Sequence, residues 1–152
     1  EIPGVEGIKY TATTHHDIMR IKSEIGKDFI LYSGADEIAM SGLHFGADGI
    51  IGSFYNAIPE VYLALYAAVK AGDMAKAKEL QEVGNAIIFF TLPRNAMAAL
   101  KRMVTWQGAD AGYCRKPFGN FMTQAEEDQL KAEFRAFKAE RKITGVNFLD
   151  VI

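Results

Sequence analysis

The chain has 152 residues, 49% of them apolar, and 17 basic against 19 acidic side chains leave a formal charge of −2. That length suits one domain and that apolar fraction is ample for a core, which excludes disorder as the default. With no run of like charge, no charged-then-apolar leader and no apolar stretch long enough to span a bilayer, neither a nucleic-acid nor a membrane partner is expected.

The only cysteine, Cys114, excludes an internal disulfide, and a cytoplasmic location is the natural expectation. The chain opens "EIPGVEG", without an initiator Met, and runs almost at once into its first strand. It is therefore expected to belong to something longer.

Three short apolar runs read as strands: "GIKYT" (7–11), "FILYS" (29–33) and "GIIGS" (49–53). Helical patterns lie between them. Thr14 is expected to cap a helix with Ile18, Ile21 and Ile25 on its inward stripe, closed by Gly26. Asp36 opens a second, with Met40 and Leu43 inward, stopping at Gly46. A third begins near Pro59, a good first-turn residue, and runs through Val61, Leu65 and Val69 to Gly72. Strands recurring about every 20 residues with helices between them predict consecutive βαβ units and a parallel sheet.

After Gly72 the strands stop. One helix is expected from Asp73 to just before Pro93, and another from an Asn95 cap to Gly108. A third follows the capping box of Thr123 and Glu126, with acidic residues in its first turn, Arg141 and Lys142 in its last, and Leu130, Phe134 and Phe137 as its stripe. Six helices on three strands leave open sheet edges, which suggests that further strands come from elsewhere. The expected fold is α/β: the C-terminal part of a (β/α)₈ barrel, about three βα units, followed by three additional helices. Residues 1–72 would hold the βα units and 73–152 the helical extension, both in one domain.

Polar groups gather at the C-terminal strand ends, where barrel active sites lie: Lys9 and Thr11, then Ser33-Gly34 with Asp36-Glu37, then Gly52-Ser53. A lysine inside a short buried strand costs free energy unless it is paired or neutral. Lys9 is therefore either a nucleophilic amine that forms an imine with a ketone or a lysine that snorkels to solvent or pairs with Glu6 or Glu37. Asp36 and Glu37 either accept hydrogen bonds from a polyol or complement a helix N-terminus. The glycines of "GADGIIGS" admit a phosphate reading but lack the lysine and spacing of a P-loop, and tight turns explain them equally well. His15-His16-Asp17 offers metal ligands, yet adjacent residues in a first helical turn point apart. Cys114 in "YCRKPFG" is either activated by the two following cations or a packed thiol.

"GIKYT" resembles the Schiff-base lysine motif of the pyruvate-dependent class I aldolases, the family containing N-acetylneuraminate lyase and dihydrodipicolinate synthase. "LYSGADEI", "GADGIIGSFYN" and "CRKPFG" follow in the family's order, so the resemblance covers essentially the whole chain. It implies that this is about the second half of a barrel, from the sixth strand onward. By position Lys9 would form the imine, and Thr11, Gly34, Asp36, Glu37 and Ser53 would contact the substrate's hydroxyls. The acidic pair after "SG" is similar to the branch that cleaves sialic acid to N-acetylmannosamine and pyruvate, and separates the chain from the synthase branch.

The resemblance further implies no metal or organic cofactor and a homotetramer of complete barrels. It leaves the family's catalytic tyrosine and carboxylate-gripping hydroxyls upstream, in a complementary N-terminal half. Two rivals stay open: a sibling aldolase or synthase acting on another 2-keto acid, and a non-catalytic sugar-acid binding module on the same scaffold.

Overall fold

The computed structural model describes residues 2–118 and 122–152, so Gly119, which closes "CRKPFG", lies outside the described residues. Three strands, β1 (Gly7–Tyr10), β2 (Ile30–Ser33) and β3 (Gly49–Ile50), form one parallel sheet in the order β1-β2-β3. Lys9 pairs with Tyr32, and Tyr32 with Gly49. Two further amides prolong the ladder past the strand ends, Gly34 N–H to Tyr10 O at 2.8 Å and Ile51 N–H to Ser33 O at 2.9 Å. All three strands are shorter than their apolar runs: β1 and β3 lose residues at the C-terminal end, β2 loses Phe29 at its start.

The connections are helical, as parallel pairing requires. Helix α1 (His16–Ile25) joins β1 to β2, and Gly26 closes it with a positive φ of 120°. A 3₁₀ turn at Asp36–Ile38 leads into the short α2 (Ala39–His44), and a second at Phe54–Asn56 leads into α3 (Pro59–Lys70). Then come α4 (Met74–Thr91), α5 (Ala96–Trp106), α6 (Gln124–Arg141) and the one-turn α7 (Asn147–Val151). The chain is thus three βα units of a (β/α)₈ barrel followed by helices.

Several local expectations are corrected. Thr14 does not cap α1: the N-cap position is His15, while the Thr14 hydroxyl bonds Tyr10 Oη at 2.6 Å and Asp17 Oδ2 at 3.1 Å. Ile25, expected inward, is exposed, because the stripe turns to solvent in the last turn of α1. Asp36 opens a 3₁₀ turn rather than an α-helix, since its side chain and carbonyl are both drawn into tertiary bonds. Asn95 holds the N-cap position of α5 in a left-handed conformation, without a side-chain bond to the first-turn amides. Helix α7 had no sequence signal long enough to announce it. The Thr123–Glu126 capping box of α6 is present as expected.

The main core lies where α3 to α7 meet. Phe134, Phe148, Ile87, Ile88, Met103 and Leu149 are completely or almost completely buried there, joined from the barrel side by Leu43, Phe54 and Ile58. Among the described residues a small cluster of Ile18, Leu31 and Ala47, with Tyr10, Ile21 and Phe45 packed against it, backs the sheet. On its other face Ile30, Tyr32 and Ile51 are 39%, 41% and 46% exposed. Side chains alternate along a strand, so Lys9 shares this uncovered face.

Candidate active site

Lys9 projects from the middle of β1 toward the end of β2. A Cβ built on Gly34 would lie 2.6 Å from Lys9 Cε and would collide with the Thr11 hydroxyl, so any larger residue at Gly34 would displace both. Lys9, Thr11 and Gly34 therefore form one close-packed corner. Lys9 itself is exposed, not buried as the strand pattern implied. The cause is local: β1 is an edge strand among the described residues, and nothing covers the sheet face it shares with Tyr32.

A cleft of about 520 Å³ opens beside this corner, between the strand ends and α5. Lys9, Gly52, Ser53, Met97, Leu100 and Lys101 are among its walls. Lys9 and Ser53, far apart in sequence, thus share one cavity. The α5 wall had no functional signal in the sequence, since Met97 and Leu100 read as ordinary core positions. Lys101 is tied back by a 2.7 Å bond to Ala111 O, which pins the following loop against α5.

Asp36 plays a different part from Lys9. It is buried, its Oδ2 accepts from Phe54 N at 2.8 Å, and its carboxylate lies against Gly52 so closely that a Cβ there would overlap it. Only glycine fits at position 52. Burial pushes the Asp36 carboxyl up from its ordinary range; the Phe54 amide and the Lys9 ammonium partly offset this, while neighbouring Glu37 adds to it. Asp36 thereby holds the Ser53–Phe54 turn in place. Glu37, the next residue, is half-buried. Of the six predicted residues, Lys9 and Ser53 line the cleft, Thr11 and Gly34 pack against Lys9, and the Asp36–Glu37 turn buttresses the Ser53 side.

Two tyrosines back this turn from below. Tyr62 donates to Asp36 O at 3.1 Å, and Tyr55 packs against Tyr62 with ring centroids 4.2 Å apart and planes inclined at 55°. Burial, then the nearby carboxylates, pushes both phenols well above their usual range, so both stay protonated. Of the histidine pair, His15 is buried with Nδ1 2.7 Å from Ser41 Oγ, whereas His16 faces outward toward Asp17. The two rings diverge, and among the described residues no three His, Cys, Asp or Glu side chains converge on a metal position. Cys114 is half-buried.

Residues 1–136 match the dihydrodipicolinate synthetase family, and the chain belongs to that family. Among curated proteins, the N-acetylneuraminate lyase of Haemophilus influenzae is 33% identical over 135 residues, spanning 87% of this chain and 46% of that protein. Among solved structures, N-acetylneuraminate lyase from Mycoplasma synoviae superposes with a TM-score of 0.77 at 31% identity, over 91% of this chain and 46% of that one. A sialic acid aldolase from Ruminococcus gnavus, solved as a catalytic lysine mutant, superposes at 0.79 with 30% identity, over 92% and 47%. The chain thus spans about half the length of the relatives it matches.

Proposed function

We propose that this chain forms the imine-bearing half of a class I aldolase that cleaves sialic acid to N-acetylmannosamine and pyruvate. The observation that carries this is the placement of Lys9: mid-strand, over Gly34, facing a cleft it shares with Ser53, in a chain of this family. Neutral Lys9 attacks the C2 ketone of the open-chain sugar acid and expels water to form an imine. The protonated imine withdraws electrons, so loss of the C4 hydroxyl proton breaks C3–C4 and releases the aldehyde. The enamine left on Lys9 is protonated at C3 and hydrolysed to pyruvate, which restores the free amine. The C4 proton passes to the substrate's own carboxylate or to a group in the complementary N-terminal half. Thr11, Gly34, Glu37 and Ser53 hold the hydroxylated tail, and Asp36 braces the turn that carries Ser53. The chemistry needs no metal or organic cofactor, and the active form is a homotetramer of completed barrels.

Borohydride reduction in the presence of pyruvate tests this with the chain joined to its complementary half. A reduced adduct on the Lys9 peptide is expected, lost together with all turnover in Lys9→Ala. A trace-free digest would leave only the sugar-acid binding module. Preferential cleavage of a deoxy 2-keto acid over sialic acid would shift the assignment to a sibling aldolase.

A further inference from the structure

The helical extension reaches the candidate site through two amide side chains that no sequence motif singled out. Gln81 and Asn85 lie one turn apart on the same face of α4. Gln81 is buried; its Nε2 donates to Asp36 O at 3.0 Å and to Asn85 Oδ1 at 2.9 Å, and its Oε1 accepts from Met40 N at 2.9 Å. Both amide hydrogens and the amide oxygen are used, so only one orientation of the group satisfies all three partners. With its oxygen taken by Gln81, Asn85 turns its Nδ2 to Glu37 O, 3.0 Å away.

Apart from the link between the two amides themselves, these bonds end on the segment from Asp36 to Met40. The Asp36 carbonyl accepts twice, from Gln81 and from Tyr62, and its carboxylate holds the Phe54 amide next to Ser53. A 3₁₀ turn has poorer internal hydrogen-bond geometry than an α-helix, so its course depends on such outside partners. We propose that Gln81 and Asn85 are positioning residues that set the direction of the Glu37 side chain, and so tune how tightly the site grips the hydroxylated tail of its substrate. Specificity for long sugar acids is then written partly in α4, beyond the barrel strands. This rests on the reading of Glu37 as a tail contact in an imine-forming site.

The test is a double-mutant cycle in the chain joined to its complementary half, with sialic acid cleavage and pyruvate trapping on Lys9 read side by side. Asn85→Ala removes the donor to Glu37 O, and Asn85→Asp keeps the acceptor for Gln81 while losing that donor. Each is expected to raise KM for sialic acid about tenfold, with kcat and pyruvate trapping close to the parent values. In a Glu37→Gln background the same Asn85 changes should do little more, because their target is already gone. Additive losses, equal loss of pyruvate trapping, or an unchanged KM would each overturn the proposal. If Asn85→Ala fails to fold, Asn85→Asp carries the same comparison. Failure of the parent protein to trap pyruvate at Lys9 would instead bring down the aldolase reading beneath it.

Discussion

The two parts of the chain bury their apolar surface in opposite ways. The helical extension shares one closed core with the barrel side: Phe90 stacks on Phe137 at 4.3 Å, Phe134 meets Phe148 edge-on at 5.1 Å, and Trp106 joins the same group while donating to Glu127 Oε1 at 2.6 Å. Leu43, Phe54 and Ile58 complete the cluster. The βα units cover one face of their sheet and leave Tyr32, Ile30 and Ile51 open on the other, with Lys9 among them. A helix needs one covered stripe, whereas a parallel sheet needs both faces covered. The helical core is therefore closed among the described residues, whereas the sheet face that carries Lys9 is open.

The largest expected effect follows directly. The chain alone should lack sialic acid cleavage and self-associate through its open edge and uncovered face, and activity should return when the complementary half is supplied. Size-exclusion chromatography and a cleavage assay on each form measure this; a monomeric, active lone chain would break the contrast between the two regions.

Packing offers a second, smaller contrast. Phe134→Ala, in the middle of the helical core, should cost about 3–5 kcal/mol of unfolding free energy. Tyr32→Ala, on the open sheet face, should change the stability of the lone chain, diluted until it is monomeric, by no more than about 0.5 kcal/mol. Urea titration of both variants gives the comparison, and similar losses would show that the sheet face is covered in solution.

At the site itself, Glu37→Gln and Ser53→Ala should weaken cleavage of sialic acid more than pyruvate trapping. A lost hydrogen bond of this kind is worth about 0.5–1.5 kcal/mol, or up to roughly 3 when a charge is involved. Parallel losses in both assays would mean that these residues serve the lysine instead of the tail.

Acid titration separates the regions by sign. Arg94 bonds Glu133 at 2.6 Å and holds its carboxyl below the usual range, with Gln129 assisting. A lowered folded value adds stability above the ordinary value of 4.5, and that stability is lost as pH falls through the folded value. Asp36 runs the other way. Its raised folded value favours the fold below the ordinary 3.8, and that contribution is lost as pH rises through the folded value. Arg94→Met should flatten the acid limb of the stability curve by at most about 1 kcal/mol, because the pair is partly solvated. Asp36→Asn should remove the opposing loss on the rising side, provided Asn still accepts the Phe54 amide. Identical curves for both variants and the parent would show that neither carboxyl is shifted.

The elements that local chemistry specifies were legible at once. Thr123 and Glu126 reciprocally cap α6, Pro59 and Gly72 bracket α3, and alternation in "GIKYT" marked β1 and placed Lys9 and Thr11 together. Capping and periodicity act within a few residues, so their cues travel with the sequence. Thr14 failed as a cap because two side chains close in sequence, Tyr10 before it and Asp17 after it, take its hydroxyl. Helix α7 escaped notice because one turn is too short to show a period, and it forms by docking Phe148 and Leu149 into the core.

The sequence by itself determined the three βα units, the helices that follow, and the family, since each rests on residue types at fixed local spacings. Tertiary structure alone decided that the rim on which the strand pattern gathers Lys9 and Ser53 opens onto a cleft walled by α5, and that Gln81 and Asn85 grip the Asp36–Glu37 turn from α4. It also decided that Asp36 is buried as a brace for the Ser53–Phe54 turn. The hydrogen bonds among them join residues 18 to 48 positions apart. Hydrogen-bond direction and burial at such separations depend on how helices dock on the sheet, and no local pattern records that.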